Sequence, residues 1–144
     1  MDEQRPEERP YPSDTPMVSA CRGVRGATSV EGGGEPELQV AVAELLAQIL
    51  AHNNARSVDI AAVIFTVPDD LGGINPAAAA RAVGFQSVPL LVVREHGGDD
   101  RVARCLRVLV LLNTTRTQDQ IVHAYLGGAE LLRPDLVAPG SPRP

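Results

Sequence analysis

Lysine and tryptophan do not occur in this 144-residue chain, and only four aromatic side chains do: Tyr11, Phe65, Phe85 and Tyr125. So few rings exclude a base-stacking surface. A net charge of -5 argues against general nucleic-acid binding, which needs a basic face. The two cysteines, Cys21 and Cys105, match no metal spacing and are too few for a disulfide framework, so a reduced, cytoplasmic location is the default. The three histidines, His52, His96 and His123, are scattered. No pair has ligand spacing on one element, and no metal is expected. No serine lies in a nucleophile-elbow pattern. Gly32, Gly33 and Gly34 are consecutive, but the Gly-Lys-Ser/Thr ending of a phosphate loop does not follow them. No apolar run approaches the roughly 20 residues that span a bilayer. The N-terminus carries Glu, Arg and Pro without the apolar region of a signal peptide. Covalent, metal and nucleotide chemistry are left without a candidate.

What the chain does have is burial capacity. Hydrophobic residues make up 44%, and the length suits one domain with one core. Residues 1–17, rich in Pro, Glu and Arg, read as a disordered tail, and residues 138–144 as a flexible end. The domain occupies residues 18–137. A first strand is expected over Val18–Val30, broken by the three glycines. A helix starts near Pro36, where a missing N–H is harmless. Leu38, Val42, Leu45, Leu46 and Ile49 recur along it at helical spacing, and Asn53 and Asn54 fit its end. Ile60–Val67 is rich in β-branched residues and reads as a buried strand. After a loop, Asn75 and Pro76 are the N-cap and first residue of a short helix that stops at Gly84. Val88–Arg94 and Arg104–Leu112 read as strands, separated by a polar loop at His96–Asp100. Ile121–Leu126 reads as short helical or irregular chain, and Ala129–Leu132 as a last strand. The expected class is α+β: one mixed sheet with helices on one side.

The informative residues are charges embedded in apolar strands. All 13 basic side chains are arginines, each a planar fork suited to gripping carboxylates in pairs. Arg107 sits inside Cys105–Val110, sharing a face with Cys105, Leu109 and Leu111 by alternation. It is either a strand-edge arginine reaching solvent or a charge whose desolvation must be offset by a partner. Arg22 and Arg25 lie three apart in a strand and so take opposite faces. Glu95 follows an apolar run and is equally readable as a solvated strand end. Tyr125 is the only tyrosine inside the domain, at the rim of the core or in a site. Arg133 precedes Pro134 and fits a surface charge. Several arginines, one carboxylate and one tyrosine together suit the binding of a small polyanion.

Those residues fall in segments that resemble the AroH class of chorismate mutase. The segments are Arg22-Gly23-Val24-Arg25-Gly26-Ala27-Thr28; Ala62-Val63-Ile64-Phe65-Thr66, followed by Pro76-Ala77 and Ala80-Arg81; and Val88-Pro89-Leu90 with Glu95 beyond. They continue with Arg104-Cys105-Leu106-Arg107-Val108-Leu109, and end with His123-Ala124-Tyr125-Leu126 and Leu132-Arg133-Pro134-Asp135-Leu136. The likeness runs from about Cys21 to Leu136. It implies a homotrimer of pseudo-α/β-barrel shape with active sites between subunits. It also implies a cofactor-free Claisen rearrangement of chorismate to prephenate, in aromatic amino acid biosynthesis.

By this resemblance, Arg107 donates to the ether oxygen and the nearby side-chain carboxylate. Arg25 helps fix that carboxylate, Tyr125 hydrogen-bonds the same end, and Glu95 orients the ring hydroxyl. Arg81 of a neighbouring subunit approaches the ring carboxylate, and Leu132 and Arg133 close the pocket. The chain departs from the family pattern at three wall positions. Asn75 stands where phenylalanine is common, Ala78 where lysine is, and Val92 where cysteine is. His96-Gly97 replaces the usual Met-Asp. These departures motivate two alternatives: a pericyclic enzyme acting on a relative such as 4-amino-4-deoxychorismate, and a non-catalytic binding module that keeps the trimer.

Overall fold

The computed structural model describes residues 18–97 and 102–136. Both expected tails lie outside the described residues, as does most of the His96–Asp100 loop.

Two long strands form the spine. β1 (Ala20–Ser29) and β4 (Cys105–Thr114) pair antiparallel along their whole length, from Ala20 opposite Thr114 to Ser29 opposite Cys105. β2 (Ile60–Val67) runs antiparallel on the other side of β4, and β3 (Leu90–Arg94) runs parallel on β2. A three-residue strand, β5 (Ala124–Leu126), pairs parallel with β1. The sheet order is β3-β2-β4-β1-β5.

Alternation along the spine divides the sheet into two faces. Val24, Val63, Phe65, Leu106, Val108, Val110 and Leu112 point to one side and are buried. Helix α1 (Glu35–His52) covers them with the apolar stripe Leu38, Val42, Leu45, Leu46 and Ile49. The short α2 (Pro76–Ala82) adds Ala79 and Ala80 to the same core. Both helices therefore lie on one side, as expected. α1 is supported electrostatically by Glu35 and Glu37 in its first turn, at the favourable end of the macrodipole. Gly26 is required by the close approach of α1. A Cβ there would lie 2.7 Å from Val108 Cγ1, 3.0 Å from Ile49 Cδ1 and 3.1 Å from Leu45 Cδ1.

Two local details aim the site. Asn53 is buried at the end of α1. Its Nδ2 donates to the Ile49 and Val122 carbonyls, both at 2.8 Å, and its Oδ1 accepts from Val122 N at 2.8 Å. The helix end thus fixes the chain that enters β5. Arg104 has φ 48 just before β4, a conformation that non-glycine residues rarely take. It is held by Asp70 Oδ2, which accepts from its backbone N at 2.7 Å, and by the Val30 carbonyl, which accepts from its Nε at 3.1 Å.

The structure corrects two expectations near the C-terminus. Ile121–Leu126 contains β5, not a helical piece; a short segment without alternation is made a strand by the free edge of β1. Ala129–Leu132 is not a strand. Ala129–Leu131 forms a 3-10 turn, because Gly127 at φ 62 redirects the chain and buries Ala129 while Leu131 stays exposed.

Candidate active site

The face of the sheet opposite the helices carries the charges. One row of paired positions crosses four strands: Thr66 on β2, Arg107 on β4, Ala27 on β1 and Tyr125 on β5. Between Arg107 and Tyr125 the small Ala27 leaves a gap. That gap is the floor of a cleft of about 300 Å³ walled by Arg25, Arg107, Tyr125, Leu132 and Arg133. Beneath it Ala27, Val102, Cys105, Tyr125 and Ala129 form a small apolar cluster separate from the main core. The register therefore brings together five residues singled out in the sequence, from positions 25 to 133.

Glu95 arrives from the remaining strand. Its backbone N donates to Val67 O at 2.9 Å, one step past β3. Alternation with Leu91 and Val93 turns its side chain to the cleft face. Glu95 Oε1 lies 2.9 Å from Arg107 Nε, with side-chain exposures of 12% and 38% respectively. The contact is an ion pair only: the Nε–H is not aimed at the oxygen, and this buried nitrogen has no hydrogen-bond partner. Arg107 is thus neither a free surface arginine nor fully partnered. Arg133 is paired at the cleft rim, its Nε and Nη2 donating to the two Asp135 oxygens at 3.0 and 2.8 Å. That pairing holds the Asp135 carboxyl below its ordinary range. The Arg25 guanidinium makes no hydrogen bond or ion pair among the described residues. Among the described residues, three guanidinium groups stand at the cleft against the carboxylates of Glu95 and Asp135.

The neutral groups of the site are held neutral. Burial pushes the Tyr125 hydroxyl up, against the pull of Arg25, Arg133 and Arg107, so it remains an O–H donor. Burial pushes the Cys105 thiol up to about 11. His123 is pushed down by burial and then by Arg25 and Arg133. Its Nδ1 accepts from the Arg25 backbone N at 2.8 Å, which requires an unprotonated Nδ1. Arg22 takes the opposite face from Arg25, as alternation requires, and its Nε donates to Arg116 O at 3.0 Å.

Sequence reasoning did not single out Thr66 or His123 as members of this arrangement. The available signal was weak: a hydroxyl at the strand position two after Ile64, and a histidine two before Tyr125. Three of the expected binding residues lie away from the cleft. Asn75 caps α2, its Oδ1 accepting from Ala78 N at 3.1 Å. Arg81 is in the last turn of that helix. Val92 lines a separate cleft of about 640 Å³ with Ile74, Asp69 and Arg94. Among the described residues, no group of three or more His, Cys, Asp or Glu side chains gathers as a metal site. No helix among them is long and apolar enough to cross a membrane.

Fold and site together define a small α+β protein whose bare sheet face carries an arginine-lined cleft. The family model described as chorismate mutase type I matches residues 21–136, and the chain belongs to that family. Chorismate mutase AroH of Thermus thermophilus is 46% identical over 116 residues, which are 80% of this chain and 95% of that protein. Chorismate mutase AroH of Bacillus subtilis (strain 168) is 36% identical over 116 residues, or 80% of this chain and 91% of that one. A solved chorismate mutase from Clostridium thermocellum superposes with a TM-score of 0.72 at 34% identity, covering 76% of this chain and 97% of that structure.

Proposed function

We propose that this chain converts chorismate to prephenate by a Claisen rearrangement, with Arg107 as the principal catalytic residue. Membership of the family makes the chain a chorismate mutase, an enzyme of the isomerase class. The observation that carries the mechanism is that Arg107, held beside Glu95 through its Nε, lines one cleft with Arg25, Arg133 and Tyr125. In the rearrangement an ether C–O bond breaks while a C–C bond forms, in one cyclic movement of electrons. No proton or leaving group departs. The ether oxygen gains negative charge on the way, so a fixed cation there stabilises the transition state more than the ground state. Cleft walls that hold the substrate folded add the contribution of proximity.

In this reading Arg107 donates to the ether oxygen and the side-chain carboxylate. Arg25 and the Tyr125 hydroxyl grip the same end, and Glu95 orients the ring hydroxyl. Leu132 and Arg133 cover the pocket. Arg81, Asn75 and Val92 approach from a second copy, since within one chain they stand apart from the cleft. The bare sheet face supports that assembly: Leu91 is 55% exposed, Leu109 39% and Val93 37%, an apolar group that a monomer seldom leaves open. A homotrimer with these faces turned inward and helices outward has the pseudo-barrel form, with a cytoplasmic location. The domain takes in residues 18–137.

Two alternatives are not favoured. A 4-amino-4-deoxychorismate enzyme would differ from both relatives in substrate, and a binding-only module would keep the cation cleft without using it. Purified protein mixed with chorismate tests all three. Loss of the ultraviolet absorbance of chorismate, with prephenate as product, is expected. No loss, or faster turnover of the 4-amino analogue, would reject the assignment.

A further inference from the structure

Thr66 occupies the β2 position paired with Arg107 on β4. Its Oγ1 donates to Glu95 Oε1 at 3.2 Å. The same oxygen lies 2.9 Å from Arg107 Nε, so a hydroxyl and a guanidinium converge on one carboxylate oxygen. The Glu95 backbone is tied to Val67 O, yet its side chain keeps three torsions of its own. A carboxylate beside a guanidinium is most stable when both its oxygens meet two N–H groups of the fork. That geometry would occupy the donors a substrate needs. Threonine is suited to prevent it, because a β-branched side chain is stiff at χ1 and the partner it holds cannot drift.

We propose that Thr66 is a positioning residue for the rearrangement. It pins Glu95 Oε1 beside Arg107 Nε, stops the carboxylate from turning onto the two Nη groups, and leaves that end of the fork for the substrate. The inference rests on the chorismate mutase reading and adds to it how the charge of Arg107 is kept available.

The test is steady-state kinetics with chorismate on the full chain, for Thr66→Val, Thr66→Ala and Thr66→Ser, each alone and combined with Glu95→Ala. Thr66→Val keeps shape and strand propensity, and Thr66→Ala removes the hydroxyl without adding apolar bulk. Both are expected to lower kcat by about tenfold or more, tenfold being near the lower end for one lost hydrogen bond to a charged group, with KM within about twofold. Thr66→Ser recovers most of that loss. In the Glu95→Ala background, removing the hydroxyl changes kcat no further, because its partner is gone. Parental kcat in both hydroxyl-less variants overturns the proposal. So does a serine variant as impaired as valine, or an undiminished loss in the Glu95→Ala background. An inactive parent protein overturns the reading and this role with it; an active parent indifferent to Thr66→Val and Thr66→Ala overturns this role alone.

Discussion

Replacing Arg107 with alanine separates catalysis from stability by size. A preorganised donor aimed at developing negative charge is worth about 2.7–4 kcal/mol, so its removal lowers kcat by roughly a hundredfold to a thousandfold. The cost to the fold is smaller. Glu95, with 12% of its side chain exposed, loses its cation but keeps the Thr66 hydroxyl. On the scale of a hydrogen bond to a charged group, that is about 1.5–3 kcal/mol at most. A domain of ordinary stability, about 5–15 kcal/mol, remains folded after such a loss. A kinetic defect of the expected size therefore has to come from the chemistry. Arg107→Lys keeps the charge but loses the planar fork, and its rate should fall between the two. The assay is the initial rate of chorismate disappearance by ultraviolet absorbance, with the oligomeric state checked by light scattering. An Arg107→Ala variant that assembles normally and keeps kcat/KM within about twofold of the parent would refute the electrostatic argument.

Other consequences follow from the same geometry. The folded chain holds His123 below its ordinary value of 6.5, so the unfolded chain binds the proton first as pH falls. Stability is complete above 6.5 and is lost as pH drops through it towards the lower folded value. Urea midpoints across that window should fall less steeply in His123→Gln, and an identical slope would show that His123 does not govern it. Gly26→Ala puts a methyl 2.7 Å from Val108 Cγ1, and overpacking of this kind costs about 1–3 kcal/mol. A urea melt as stable as the parent would mean that α1 yields more easily than its packing implies. Leu109→Asp places a charge on the bare apolar sheet face, and the proposed trimer should be lost in light scattering; a trimer that persists in this variant would locate the interface elsewhere.

Much of the fold was legible because it is local. All five α1 positions chosen by helical spacing are buried, and Asn75 caps α2 as its place before Pro76 requires. Elements fixed by distant partners were not legible. β5 is a strand because β1 offers an edge, and nothing within Ile121–Leu126 encodes that edge. For the site, alternation correctly placed Arg107 on the face of Cys105 and Leu109, and Arg25 opposite Arg22. It could not show that Glu95 reaches Arg107, since that contact depends on how β3, β2 and β4 are aligned. Thr66 and His123 escaped notice for the same reason. Each acts on a residue far along the chain, at 29 and 98 positions' separation, and an isolated hydroxyl or imidazole carries no sign of its partner.

The adjacent pair Gly26 and Ala27 shows how one strand serves both faces of the sheet. The two positions point in opposite directions, and both are small for different reasons. At Gly26 the helix side has no room, since Val108, Ile49 and Leu45 already occupy the place of a side chain. At Ala27 the other side must stay open, because a larger residue between Arg107 and Tyr125 would fill the cleft floor. A slip of β1 by one residue against β4 would exchange these roles, driving the Ala27 methyl into the helix and turning Arg25 towards the core. The register is held at both ends of β1. Val30 N donates to Arg104 O at 2.9 Å at one end, and Gln118 bonds both Gly23 backbone groups towards the other. The same packing that secures the core thus sets which arginine faces the cleft, so the stability of this protein and the geometry of its candidate site depend on one alignment of strands.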